Sequence, residues 1–127
     1  MTSANITTGQ LGEQVAANFL RNKNYEILDM NFKNNSGRRL GEIDIIAKDR
    51  ALNEIVFIEV KTREYSRYKN TLPEENITRQ KLHKLNKIAT FYLRKHNLVN
   101  FAYRFDAISI WLDYITRIAK IKHIRSL

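Results

Sequence analysis

The segment that most constrains this chain is Ile55-Val56-Phe57-Ile58-Glu59-Val60-Lys61. A continuous β-branched and aromatic run of this kind reads as a strand buried on both faces, and therefore central in its sheet. It nevertheless ends in two ionisable groups. Because side chains alternate along a strand, Glu59 and Lys61 share the face of Phe57, opposite Ile58 and Val60. Upstream, Gly41-Glu42-Ile43-Asp44-Ile45-Ile46-Ala47 sets another acid among isoleucines. Its alternation predicts Ile43 and Ile45 on one face, with Glu42, Asp44 and Ile46 on the other.

The flanking segments supply the rest of a sheet and its cover. From Thr8 to Asn24, Leu11, Val15 and Phe19 recur at i, i+4 and i+8, widened by Ala16 and Leu20, which predicts an amphipathic helix with Thr7 or Thr8 as N-cap. Asn24 suits a left-handed stop, and Tyr25 to Phe32 reads as a strand. Asn34-Asn35-Ser36-Gly37 then predicts a turn that pairs this strand with the next as a hairpin. Lys48 to Asn53 reads as a second turn. Residues 64–76 are polar and hold the single proline, Pro73, which predicts a mobile loop. Leu82, Leu85, Ile88, Ala89, Tyr92 and Leu93 place a second amphipathic helix between Thr78 and Lys95, and Phe101 to Leu112 reads as a strand. The stretch from Ile115 to Ile124 fits a last strand or a short helix. The order αβββαβ argues for an α/β domain, layered or open-sheeted, and against a bundle or barrel.

At 127 residues the chain is expected to form one domain, 1–127, large enough to bury a real core. The absence of cysteine excludes disulfides, thiolate zinc sites and a cysteine nucleophile. The first residues lack the pattern of a signal peptide, and no apolar run approaches the ~20 residues that span a bilayer, so a soluble cytoplasmic protein is expected. Net charge is +9, unevenly placed: residues 1–60 carry seven basic and eight acidic side chains, residues 61–127 fifteen and five. A basic half of this kind fits a polyanion held through its phosphates; a surface that merely keeps the protein soluble is the competing explanation.

Acids embedded in two adjacent apolar strands are costly unless their charge is compensated. A divalent cation does this directly. Mg²⁺ takes oxygen ligands from one or two carboxylates plus water and substrate phosphate, which makes Asp44 and Glu59 candidate ligands. Lys61 can orient a water or stabilise the charge that grows on a phosphate under attack. Glu13 borders the apolar stripe of the first helix and is a candidate third acid. Glu42, next to a turn, fits a solvated or supporting position.

These residues resemble a known signature. Asp44, followed after fourteen residues by Glu59-Val60-Lys61 on a hydrophobic strand, looks like the PD-(D/E)XK nuclease motif, with Ile43 where that family often has proline. More closely, Gly12-Glu13, Asn31-Phe32, Gly41 to Ala47, Phe57 to Arg63, and Lys81-Leu82 ahead of Ala89 and Tyr92-Leu93 resemble the YraN-like family of small, uncharacterised bacterial proteins. The resemblance runs from about Gly9 to Asp106. It implies the restriction-endonuclease-like fold shared with archaeal Holliday-junction resolvases, a three-layer core with a mixed β-sheet flanked by helices. It also implies a metal-dependent phosphodiesterase in which Asp44 and Glu59 ligate Mg²⁺ or Mn²⁺, Lys61 positions the attacking water and Glu13 is the helix-borne acid. In resolvase-like relatives a polar residue at the start of the following helix approaches the site, a place that Gln80 or Lys81 matches.

The functional expectation is an endonuclease acting on structured, possibly branched DNA with little sequence preference, held by Arg63, Arg67, Lys69, Arg79, Gln80, Lys81 and Lys84. Tyr65 and Tyr68 could add stacking. A non-catalytic nucleic-acid-binding module that keeps the fold is the alternative, and a protein-partner domain a third. A homodimer is expected by analogy with resolvases, which cut two strands symmetrically. The plain alternatives are a rim ion pair for Asp44, Glu59 and Lys61 and a solvated helix residue for Glu13. His83, His96 and His123 show no ligand spacing and are expected at the surface. Arg104 and Asp106 are expected to form a structural salt bridge, and Trp111 to belong to the core or to a packing surface.

Overall fold

A computed structural model describes residues 6–33, 41–64 and 78–127. The elements are α1 (Thr8–Arg21), β1 (Tyr25–Lys33), β2 (Glu42–Asp49), β3 (Glu54–Glu64), α2 (Arg79–Lys95), β4 (Tyr103–Asp113) and β5 (Ile118–Ile124). The order is therefore αβββαββ: the ambiguous final stretch is a strand, paired along its length with β4. The five strands lie in sequence order, β1-β2-β3-β4-β5, antiparallel except for the parallel β3–β4 pair. The apolar run from Ile55 to Lys61 lies in β3, the central strand.

Thr7 caps α1 through a reciprocal pair of bonds: Gln10 N–H donates to Thr7 Oγ1 at 3.1 Å and Thr7 N–H to Gln10 Oε1 at 3.0 Å. Asn24, Asn53 and Asn97 take positive φ where helices and strands end, as short amide side chains tolerate. Thr78 caps α2 by accepting from Lys81 N–H at 3.2 Å.

Each helix buries its stripe on a different face. Ala16, Ala17 and Leu20 of α1 pack with Ile45, Ala47, Val56, Ile58, Ile108 and Ile110. Ile88, Ala89, Tyr92 and Leu93 of α2 pack with Phe32, Ile43, Ile46, Ile55 and Phe57. Truncating a fully buried member such as Leu20 to alanine costs roughly 2–5 kcal/mol. The result is a mixed sheet between two helices, three layers in all.

Several expectations change. The second turn is shorter than expected, because Lys48 and Asp49 continue β2. Ile43 and Ile45 do not share a face, since Ile43 packs under α2 and Ile45 under α1. Their β1 partners switch in the same way: Met30, opposite Ile45, packs with the α1 cluster, and Phe32, opposite Ile43, with the α2 cluster. Between them Asn31 is left-handed, with φ of 55°, which turns the strand over. The turn expected at 34–37 and the loop residues Tyr65, Arg67, Tyr68, Lys69 and Pro73 lie outside the described residues.

Candidate functional site

The β2–β3 ladder runs from Asp49↔Glu54 to Ile45↔Ile58 and stops there. Immediately beyond it the Asp44 carboxylate takes over from backbone pairing: Val60 N–H donates to Asp44 Oδ2 at 2.8 Å. A carboxylate is thus anchored in the cleft between two diverging strands. Gly12 brings the next acid. A Cβ at Gly12 would fall 1.8 Å from Thr62 Oγ1, so only glycine lets α1 approach β3 this closely. The following residue, Glu13, therefore arrives beside Asp44. Ligand oxygens of Glu13, Glu42 and Asp44 lie within 4.8 Å of one another.

Like charges and partial burial leave their mark on these acids. Burial pushes the Asp44 carboxyl up to about 6, opposed by the Val60 hydrogen bond and reinforced by the charges of Glu13, Glu59 and Glu42. Burial also raises Glu13, offset in part by a hydrogen bond to Asn31 and reinforced by Glu42. A site that holds Asp44 and Glu13 above their ordinary range favours a proton or a cation.

Glu59 reaches the cleft from the α2 face. Its Oε1 is held by the ammonium groups of Lys61, at 3.0 Å, and Lys81. Its Oε2 is buried and has no hydrogen-bond partner among the described residues. Glu59, Asp44, Glu42 and Lys81 together line a cavity of about 150 Å³, closed on its apolar side by Ile43, Phe57, Leu85 and Phe105. For Lys61, burial lowers the pKa, but the hydrogen bond and charge of Glu59 outweigh it and raise the group overall. Lys61 is accordingly an ammonium at neutral pH, suited to donating to water or phosphate and unsuited to removing a proton.

The structure thus gathers Glu13, Asp44, Glu59 and Lys61 at one end of the sheet. It divides them differently from the two-ligand expectation: Glu13 and Glu42 stand closest to Asp44, while Glu59 engages two lysines. Glu42, read as solvated or supporting, is exposed, yet one of its oxygens belongs to the acidic group; it also makes a 3.7 Å ion pair with Lys33. Of the two helix-start candidates, Lys81 touches the site directly. Gln80, Lys81 and Lys84 line a groove of about 410 Å³ that also includes Glu42 and Thr78. Arg79 is exposed at the start of α2, and Arg63 is half-buried on β3. Gly12 and Asn31 stand in the motifs that carry the family resemblance, but their supporting roles were not read from the sequence, where Gly12 was only an otherwise unexplained glycine inside an amphipathic helix.

The three histidines also differ from expectation. His83 and His96 are exposed, but His123 is not a surface residue: it is largely covered, packs edge-on against Phe19 and Tyr25, and lies 2.7 Å from Asp106 Oδ2. Asp106 also binds the Arg104 guanidinium, at 3.0 Å from Nε, as the expected structural pair. The two belong to a larger network that adds Asp49, Glu54 and the Tyr25 hydroxyl.

Comparison with known proteins gives a consistent answer. Residues 12–110 match the family described as "Uncharacterised protein family UPF0102". A UPF0102 protein of Clostridium botulinum (strain Loch Maree / Type A3) is 42% identical over 127 residues, covering 99% of this chain and 97% of the relative. One from Moorella thermoacetica is 37% identical over 125 residues, covering 98% of each chain. A third, from Syntrophus aciditrophicus, is 41% identical over 108 residues, covering 85% of this chain and 79% of the relative. Among the described residues, no helix is long and apolar enough to cross a membrane.

Proposed function

We propose that this chain, which belongs to the uncharacterised YraN-like (UPF0102) family, is a metal-dependent phosphodiesterase of restriction-endonuclease-like architecture that cleaves structured DNA. The observation that carries the reading is that Glu13 and Glu42 converge on Asp44 while Asp44 and Glu59 line one cavity, with one buried Glu59 oxygen unpartnered among the described residues. An ion pair at a sheet rim would satisfy its own oxygens. This arrangement keeps acceptors in reserve, and the donor set, carboxylates without imidazole or thiolate, is that of a hard divalent cation such as Mg²⁺ or Mn²⁺.

Asp44 and the free oxygen of Glu59 would hold the ion, with Glu13 and Glu42 completing its surroundings directly or through water. When bound, the cation supplies Lewis acidity toward phosphate and an acidified water. The chain's own contribution is positional. Val60 N–H fixes the Asp44 carboxylate, Lys61 donates to the attacking water and to the phosphate oxygens as their charge grows, and Lys81 holds Glu59 until phosphate draws its ammonium away. Gln80, Lys84 and Arg79 on the adjoining groove, with Arg63 on β3, would bind the backbone of the strand.

The deciding experiment incubates the full chain with linear, single-stranded, flapped and four-way DNA in Mg²⁺ or Mn²⁺. Cleavage of at least one substrate is expected, and Glu59→Ala should lower its rate at least about a hundredfold while leaving binding intact. A second reading, a binding module without catalysis, draws on the two lysines already engaged with Glu59. It wins if the wild-type chain binds these substrates and cuts none under either metal.

A further inference from the structure

The helix α2 covers only part of its face of the sheet, through Ile43, Ile46, Ile55 and Phe57. Downstream of Glu59 that face changes character. Register sets Lys61, Ser109 and Lys122 in one cross-strand row and Arg63, Trp111 and Lys120 in the next. Directly opposed residues have Cβ atoms about 4.5–5.5 Å apart, so Trp111 carries a cationic side chain on either flank. Trp111 is half-buried and, with Asp113, Thr116, Ile118 and Lys120, lines a depression of about 220 Å³. Of the described acids of this face, Asp113 accepts from the N–H groups of Ile115 and Thr116 at 3.0 and 3.2 Å, and Glu59 binds Lys61 and Lys81.

An indole flanked by cations offers two things together, a π surface for a base and positive charge for the phosphates beside it. Duplex DNA can use the charge but not the indole, because its base faces are already covered by stacked neighbours. An unpaired nucleotide uses both. The Trp111 row lies four residues along β3 from Glu59, about 13 Å, so a strand lying on it continues toward the acidic cleft.

We infer that the Lys61–Arg63–Trp111–Lys120–Lys122 face is a binding platform for unpaired DNA bases, which narrows the substrate of the adjoining site to DNA with single-stranded character. The link to cleavage rests on the nuclease reading; binding to the platform needs no metal and stands by itself.

Trp111 is the only tryptophan of the chain, so its emission reports the platform directly. The full chain is titrated in EDTA with an oligodeoxythymidylate, a hairpin duplex and the matching oligouridylate, following fluorescence and anisotropy together. Saturable quenching by the single-stranded DNA is expected, with weaker or unquenched binding of the duplex. Trp111→Ala should raise Kd about tenfold, and Trp111→Phe should stay within about threefold, since phenylalanine retains a stacking surface. Lys120→Gln with Lys122→Gln should lower the slope of log K against log salt by about 1.4; this pair and wild-type quenching carry the test if Trp111→Ala does not fold. Binding seen by anisotropy without quenching, equal quenching by the duplex, or no affinity for the single strand overturns the platform. Tighter binding of the RNA overturns its assignment to DNA. Quenching without cleavage in Mg²⁺ or Mn²⁺ refutes the nuclease reading alone, and cleavage without quenching refutes the platform alone.

Discussion

Strands β2 and β3 carry an acid near each end, and the two ends use them in opposite ways. At the hairpin end, Asp49 and Glu54 meet the Arg104 guanidinium at 3.0 and 2.7 Å. Asp49 Oδ1 also accepts from the N–H groups of Ala51 and Leu52. Asp106 has donors on both oxygens, from Arg104, His123 and Ser126 N–H. Burial alone would raise Asp106, but these hydrogen bonds outweigh it and hold the carboxyl below its ordinary range. At the open end, Asp44 has risen to about 6 and Glu59 keeps an oxygen without a partner among the described residues. Both ends bury more acid than base, so charge count does not separate them. The supply of donors does. Where donors saturate the carboxylates, the cluster is part of the framework; where they fall short, it has capacity for a ligand.

The sharpest way to break this contrast is at Arg104. Arg104→Met should cost about 3–5 kcal/mol, since it strands Asp106 and Asp49 without their principal donor, and thermal unfolding should show a midpoint lower by about 10 °C or more. A loss below about 1 kcal/mol would mean that the hairpin-end network is not structural.

Gly12→Ala probes how the open end is assembled. The clash with Thr62 should cost about 1–3 kcal/mol and push Glu13 away from Asp44. Mn²⁺ affinity, measured by calorimetry, should fall along with stability; unchanged affinity would remove Glu13 from the site.

Asp44→Asn should act in the opposite direction on stability. Folded Asp44 takes its proton at about pH 6, against 3.8 for an ordinary aspartate, so the ionised carboxylate destabilises the fold above about pH 6. That penalty fades as pH falls toward 4. The asparagine, which still accepts from Val60 N–H, should therefore stabilise by about 1–3 kcal/mol at pH 8 and by almost nothing at pH 4, in denaturant titrations at the two pH values. Divalent-cation binding should be lost in the same variant. A gain that does not depend on pH would contradict the electrostatic account of this end.

The smallest effect is expected at Lys81. Its side chain is about one-third exposed, and such a pair is worth at most about 1 kcal/mol. Lys81→Met should leave the unfolding midpoint nearly unchanged and tighten Mn²⁺ binding a few-fold by releasing Glu59. Weaker binding would show that Lys81 supports the ion site and does not compete with it.

Much of this was legible along the chain because the signals were local. The apolar run at 55–58 announced a central strand, the spacing of Leu11, Val15 and Phe19 announced a helix, and acids inside isoleucine-rich strands announced a site. The errors share one cause. Ile43 and Ile45 part opposite the point where β1 turns over at left-handed Asn31, and His123 is covered because β5 pairs with β4 and carries it beneath α1. Strict alternation knows nothing of a neighbour's irregularity, and ligand spacing knows nothing of an acid seventeen residues away.

The sequence by itself therefore determined which residues are costly to bury, and through periodicity which elements they ride on: Asp44 and Glu59 on strands, Glu13 on a helix. Only the tertiary structure decided how those acids are shared out. Glu13 and Glu42 stand beside Asp44, Lys61 and Lys81 hold one oxygen of Glu59, and Arg104 takes up the rest at the far end. The reason is physical. Burial cost belongs to a residue and can be read from its neighbours in the chain, whereas compensation belongs to whatever donor the fold brings within about 3 Å, and that is set by register and helix approach.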